Sequence, residues 1–307
     1  MQAENFKEKF WKVLGPLRLF FKDRVALVTV LVIAAFAIIG IFARFIAPYP
    51  AQGAGAPNPT DVLRPPSWNH IFGTDQYGRD VLSRVFFGVR TSLIEGVAVV
   101  GLGVIVGVPL GIIAGYYGGA IDEVIMRITD IFLAFPYLLL ALIIVATLGP
   151  GLRNVIIALA VTWWPWYVRI ARGQTISLKV RPFVLSARLV GVKSSRILVR
   201  HILPNALSPI IIQATLDIAG VILSASGLSF LGLGVQEPTA DLGLMISEGQ
   251  AFMLYYWWVA TFPGFILFII ALAFNLLGDS LRDYLDPKYQ KRKLLLPYIR
   301  GIDLNEL

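Results

Sequence analysis

Apolar residues run along this chain in long uncharged blocks, separated by basic or proline-rich stretches. Val25 to Ala43, Gly96 to Ala120 and Ile131 to Leu152 contain no charged residue. A helix needs about 20 such residues to cross about 30 Å of hydrocarbon, so each block predicts a membrane span. Asn154 to Val168 is shorter and ends in Trp163, Trp164, Pro165, Trp166 and Tyr167, an aromatic cluster of the kind found at membrane interfaces. It reads as a fourth span. Ile202 to Gln236 is interrupted only by Asp217, and Ala251 to Gly278 carries no charge, which gives a fifth and a sixth. The expected fold class is all-α, a polytopic membrane protein with six transmembrane helices.

Composition agrees with that pattern. Apolar residues make up 57% of the 307, charged residues 15%, and the mean hydropathy is +0.72, far from the mix of a soluble domain. The absence of cysteine excludes a disulfide framework, a thiolate nucleophile and a cysteine metal site. With His70 and His201 as the only histidines, no metal site is expected. The first apolar block is longer than the roughly 7 to 15 residues of a secretion signal's core, so it reads as a retained anchor.

Charge then sets the orientation, because basic loops tend to stay in the cytoplasm. With the N-terminus inside, all 27 Lys and Arg residues except Arg44, Arg64, Arg79, Arg84, Arg90 and Arg153 fall in cytoplasmic segments. Both termini are therefore expected inside. The net charge of +8 is accounted for by this topology and the lipid bilayer, with no nucleic-acid partner implied.

The chain divides accordingly. Residues 1–24 form a basic, amphipathic cytoplasmic lead-in with Phe6, Phe10, Trp11 and Leu14 at helical spacing. Residues 25–46 are the first transmembrane helix. Residues 47–88 read as an external loop, broken by Pro48, Pro50, Pro57, Pro59, Pro65 and Pro66. Residues 89–281 form a five-helix core, and 282–307 a cytoplasmic tail. Within the second span Gly103, Gly107, Gly111 and Gly115 make a smooth strip on one helix face, a device for close helix packing in lipid. Pro109 is expected to bend that span.

The most informative stretch lies between the fourth and fifth spans, Arg181 to Asn205: RPFVLSARLVGVKSSRILVRHILPN. It is long and basic. Pro182 suits a helix start, and a helix over Phe183 to Ser194 would bring Ala187 and Gly191 to one face. The stretch resembles the cytoplasmic signature of the membrane subunits of binding-protein-dependent ABC importers, E-A-A-x3-G-x9-I-x-L-P. Leu185, Ser186 and Ala187 stand at its three leading positions, Gly191 at the glycine, His201 at the isoleucine, and Leu203 with Pro204 at the end. Leu185 and Ser186 depart from the pattern.

FGTDQYGRDVLSRVFFGVRTSL at Phe72 to Leu93, LSFLGLG at Leu228 to Gly234 and NLLGDSLRDYLDP at Asn275 to Pro287 narrow the likeness. The chain resembles the C-type permease subunit of dipeptide and oligopeptide ABC importers. The resemblance implies a type I ABC importer permease fold in a bacterial or archaeal cytoplasmic (inner) membrane. It also implies a second, homologous permease subunit, two cytoplasmic ATPase subunits and an external solute-binding protein. The ATPase-docking coupling helix would use Phe183, Ser186, Ala187, Arg188, Gly191, Val192, Lys193, His201 and Pro204. No phosphate-binding loop G-x4-G-K-[ST] is present, so the chain is not expected to be an enzyme; ATP and Mg would sit on the partner ATPase subunits.

Solutes handled by such permeases include peptides, nickel complexes and oligosaccharides, with peptides leading. Asp217, together with Gln213, is the candidate for the translocation path, because a buried acid in a span usually faces an interior cavity. It would either meet a cationic group on the solute or accept hydrogen bonds from another span. Glu95, Asp122, Glu123, Arg127 and Asp130 read as surface or interhelix ion pairs. Asp75, Arg79, Asp80 and Arg84 read as an external network of exposed pairs, each worth about 0 to 1 kcal/mol. Two rivals remain. An intramembrane hydrolase needs a serine and a histidine within about 3 Å, and His70 and His201 lie on opposite sides. A stand-alone secondary transporter would be supported by inverted repeats, and none is visible.

Overall fold

The computed structural model describes residues 23–285. The lead-in reading of Phe6, Phe10, Trp11 and Leu14, and most of the tail, lie outside the described residues. Within them the chain is helical, with one isolated bridge between Thr74 and Asp80 and no strand.

The elements are α1 (Arg24–Ile41), α2 (Ala43–Ile46), α3 (Pro50–Gly53), α4 (Val81–Tyr117), α5 (Gly119–Ala134), α6 (Tyr137–Leu148), α7 (Leu152–Leu178), α8 (Pro182–Leu189), α9 (Ser194–Ile197), α10 (Leu203–Phe230), α11 (Leu242–Gln250) and α12 (Trp258–Leu285). A single π-turn, Leu198–Ile202, joins α9 to α10. Three helices begin on an aspartate whose side chain accepts from a backbone N–H of the first turn: Asp23 from Val25, Asp80 from Ser83 and Asp241 from Leu244. Such caps satisfy donors that the helix itself cannot.

Four stretches are long and apolar enough to cross a membrane: α1, α4, Ser194–Phe230 and α12. A fifth follows if α5 and α6, bent by 85° at Phe135 and Pro136, count as one. The expectation of six spans is therefore not met in this form, for two physical reasons. The third block is cut by Pro136, which disfavours helical geometry at the residue before it. That leaves α6 with 12 residues, about 18 Å long. The fourth block lies in α7, whose 27 residues extend about 40 Å but include Arg153, Arg169 and Arg172. A further correction concerns the loop expected to run to residue 88, since α4 already begins at Val81. It then runs unbroken through Pro109 for 37 residues, about 55 Å.

Two apolar clusters hold the helices together. One joins α4, α6, α7, α8 and α10 through Val99, Ile112, Leu159, Tyr167, Ile202 and Ile210. The other joins α4, α10, α11 and α12 through Val85, Ile222, Leu242, Ile270 and Phe274. Leu31, Ile105, Ile143 and Phe268 point outward and are more than half exposed, as side chains facing lipid would be.

Candidate functional site

The basic segment folds against the end of α4. Pro182 occupies the first turn of α8, where its missing N–H costs nothing. Val184 is fully buried and Ala187 nearly so, both in the cluster that contains Tyr116 and Ile202. Arg188 lies over the Tyr116 ring, 4.9 Å from its centroid, and its Nε donates to Tyr116 Oη at 3.3 Å. Tyr116 Oη in turn donates to Ser194 Oγ at 3.4 Å, and Lys179 Nζ to the Gly115 carbonyl at 2.8 Å.

The expected helix over Phe183 to Ser194 is corrected here: α8 stops at Leu189. Gly191, at φ +74°, donates its N–H to Arg188 O, and Val192 donates to Ala187 O, both at 3.0 Å. This paired closure is a Schellman motif, and it requires the left-handed conformation that only glycine adopts without strain. Ala187 and Gly191 therefore do not share an exposed helix face. Ala187 is covered by its own chain, and Gly191 ends the helix.

What the segment exposes instead is apolar. Leu189 is 88% exposed and Val190 78%, with Val180, Phe183 and Leu185 exposed alongside them. Ser186, Arg188, Gly191 and Lys193 are also exposed, whereas Val192 is half-buried against the core. His201 is half-buried in the π-turn, where its carbonyl accepts from Asn205, and Pro204 sits in the first turn of α10.

The glycine strip of α4 lies against α7. A Cβ built on Gly107 would stand 2.4 Å from the Trp164 carbonyl oxygen, one on Gly111 2.4 Å from that of Val168, and one on Gly115 2.8 Å from that of Arg172. Gly103 meets the Tyr167 ring at 3.2 Å. From Gly107 to Gly115, about two turns, backbone meets backbone.

Beside this contact Tyr167, fully buried on α7, donates its hydroxyl to Asp217 Oδ2 of α10 at 2.7 Å. Gln213 Nε2 donates to the other oxygen at 2.8 Å. Asp217 is thus held by its own chain, across to α7 through Tyr167 and along its own helix through Gln213. On the α5 side, Arg172 holds Asp122 through two bonds of 2.6 and 2.7 Å, and Arg169 meets Asp130 at 2.8 Å.

At the other end of α4 the expectation of an exposed charge network is overturned. Asp75, Arg79, Asp80 and Arg84 are all buried, Arg84 completely. Arg79 Nε bonds Asp75 Oδ2 at 2.7 Å, and its two terminal nitrogens bond both oxygens of Glu237 at 2.5 and 3.0 Å. Arg84 donates to the same Glu237 at 2.9 Å and to the Pro238 carbonyl at 2.6 Å. Asp80 accepts from His70 Nδ1 at 2.9 Å and from Ser83 Oγ at 2.7 Å, so the serine and the histidine bond the acid rather than each other.

Burial opposes ionisation of Glu237, but the Arg79 bonds and the Arg84 charge outweigh it and hold its carboxyl below the ordinary value. Burial is the largest influence on Asp241, fully buried, and pushes it upward against the bonds it accepts and the Arg84 charge. Glu95, expected in an ion pair, is instead fully buried with neither carboxyl oxygen bonded. Among the described residues no group of three His, Cys, Asp or Glu side chains could hold a metal ion.

Comparison with known proteins adds family context. The family described as binding-protein-dependent transport system inner membrane component matches residues 107–291. The dipeptide transport system permease protein DppC of Alkalihalophilus pseudofirmus is 45% identical over 267 residues, 87% of this chain and 87% of that protein. DppC of Haemophilus influenzae is 42% identical over 278 residues, covering 89% and 93%. The glutathione transport system permease protein GsiD of Escherichia coli is 45% identical over 280 residues, covering 91% and 90%. Among solved structures, the MetNI methionine ABC transporter in an inward-facing conformation aligns with a TM-score of 0.54 at 19% identity, over 67% of this chain and 97% of that one. That likeness is one of fold.

Proposed function

This chain belongs to the family of binding-protein-dependent transport system inner membrane components, and from that premise we propose that it is the permease subunit of an ATP-driven importer of small peptides. The observation that carries the solute class is the 45% identity, over most of both chains, to permeases named for dipeptide and for glutathione transport. These relatives favour neither nickel complexes nor oligosaccharides.

In this reading the segment 181–205 faces the cytoplasm and receives an ATPase subunit. Its exposed Phe183, Leu185, Leu189 and Val190, with Val180 just before it, form an apolar patch on an otherwise basic surface, the kind of patch that marks a protein contact. Ala187 and Val192 hold the patch in place from beneath, and Gly191 sets its end. ATP and Mg bind on the ATPase partners, and a second permease subunit completes the pathway. An external solute-binding protein delivers cargo to the side that bears Arg84. The permease interconverts between two states, and nucleotide biases them by its difference in affinity for each.

Leu189→Glu and Val190→Glu test the docking surface. Both positions are exposed, so the fold should survive, while ATPase co-purification and peptide uptake in proteoliposomes should fall together. Full uptake with full co-purification would remove the patch from the interface. Mass spectrometry of solute bound to the cognate binding protein tests the cargo; a bound metal complex or sugar would overturn the peptide assignment.

A further inference from the structure

The charged knot at the Arg84 end of α4 contains an acid that its neighbours do not satisfy. Glu237 is well compensated, with both oxygens on Arg79 and one also on Arg84, which leaves it one acceptor position. Glu248, on α11, is not so compensated. Its Oε2 accepts from Gln76 Nε2 at 2.9 Å, and its nearest cation is Arg79 Nη2 at 3.6 Å. That guanidinium already serves Asp75 and Glu237. The Glu248 side chain is 19% exposed and shares Arg79 Nη2 with Glu237, whose Oε1 accepts from that nitrogen at 3.0 Å, so the two carboxylates converge on one guanidinium nitrogen.

Each element around Glu248 can be inspected for countercharge. The 72–80 loop brings Asp75, Arg79 and Asp80, the last bonded to His70, α4 brings Arg84, the segment before α11 brings Glu237 and Asp241, and α10, which also packs on α11, carries only Asp217. The facing part of α12 begins with Trp258, whose indole donates to Thr74 O, and carries no charge before Asp279. Acids therefore outnumber the two guanidinium groups. A carboxylate added beside an ionised one in a half-dry site is unfavourable, and a proton between them removes the conflict.

We propose that Glu237 and Glu248 together form a proton-binding site that latches α11 to the 72–80 loop. With the proton present, Glu248 donates to Glu237, and α11 is tied to the loop by Gln76, Arg79 and the shared proton. Without it, two carboxylates face each other with Arg79 between them, and the latch loosens. Burial and the Glu237 charge push Glu248 up to about 7, which puts the change in the neutral range. The latch goes beyond the transport reading, on which it depends only for being placed on the outer side.

Its strength can be worked out by linkage. If Glu248 titrates near 7 when latched and near its ordinary 4.5 when released, the latched population relative to the released one should fall about tenfold between about pH 6 and pH 8. Amide hydrogen exchange on the assembled transporter in lipid, normalised to intrinsic rates at each pH, reads that ratio directly for peptides from 236–250. Wild-type protection should drop about tenfold across the interval. Glu248→Gln, which keeps the shape, the bond to Gln76 and a donor for Glu237, should hold low-pH protection at both values. Equal wild-type protection at the two pH values, or a pH dependence that persists in Glu248→Gln, would overturn the proposal. Neither outcome depends on which solute is carried, so failure here and failure of the peptide reading are distinguishable.

Discussion

Replacing Gly107 by alanine offers a sharp test of the α4–α7 contact. The added Cβ would stand 2.4 Å from the Trp164 carbonyl oxygen and 2.7 Å from Tyr167 Cβ, where ordinary contact begins near 3.4 Å. The deficit is about 1 Å against backbone and a Cβ, which cannot swing away as a long side chain can. The helices must separate or rotate, and overpacking of this kind costs about 1–3 kcal/mol. Gly101 lies on the same helix with nothing within 4 Å of its would-be Cβ. Both substitutions gain the same helix propensity, roughly 1 kcal/mol, so their difference isolates the clash. Thermal melting of the purified assembly, followed by size-exclusion chromatography, should place Gly107→Ala several degrees below Gly101→Ala. Equal melting, or a higher value for Gly107→Ala, would refute close backbone packing at this strip.

Further outcomes follow from the other contacts. Asp217→Asn should leave assembly intact and reduce uptake of cationic and neutral peptides alike, because Tyr167 and Gln213 already occupy both oxygens; a selective loss of cationic cargo would assign Asp217 to recognition instead. Arg84→Met removes a fully buried partner of Glu237 and of the Pro238 carbonyl; Arg79 still holds Glu237, so the cost should fall below the about 3–5 kcal/mol of a wholly buried broken pair but still lower yield and melting temperature, and an unchanged melt would contradict the buried pairing. In this cysteine-free background, an impermeant thiol reagent on intact cells should label Trp68→Cys, at a side chain 99% exposed, and spare Ser195→Cys; the reverse pattern would invert the proposed orientation.

The helices that carry function were legible where the pattern is local. The four-residue spacing of Gly103 to Gly115 identified a packing face, and the uncharged blocks located α1, most of α4 and most of α12. The end of α8 is legible too, since a glycine after an apolar run is a common stop signal, and that signal outweighs the four-residue spacing from Ala187. Burial of the FGTD charges was not legible. Arg79 and Glu237 meet across 158 positions, and nothing near either residue in sequence announces the other. The count of six spans is not confirmed for a related reason: Pro136 bends the third block, and Arg153 and Arg169 flank the short fourth one within a single longer helix.

One helix touches both ends of this molecule. α4 begins with Arg84 locked on Glu237 and finishes with Tyr116 beneath Arg188 and against Ser194. Its 37 residues span about 55 Å, nearly twice the thickness of the hydrocarbon core. A rod of that length is a lever. If a partner pressing on α8 tilted it by only about 5° about the Tyr116 end, Arg84, about 48 Å away, would sweep about 4 Å, enough to part ion pairs that now close at 2.5 to 3.0 Å. The buried knot and the docking segment would then feel each other through stiffness alone, with no chain of rearranging side chains between them.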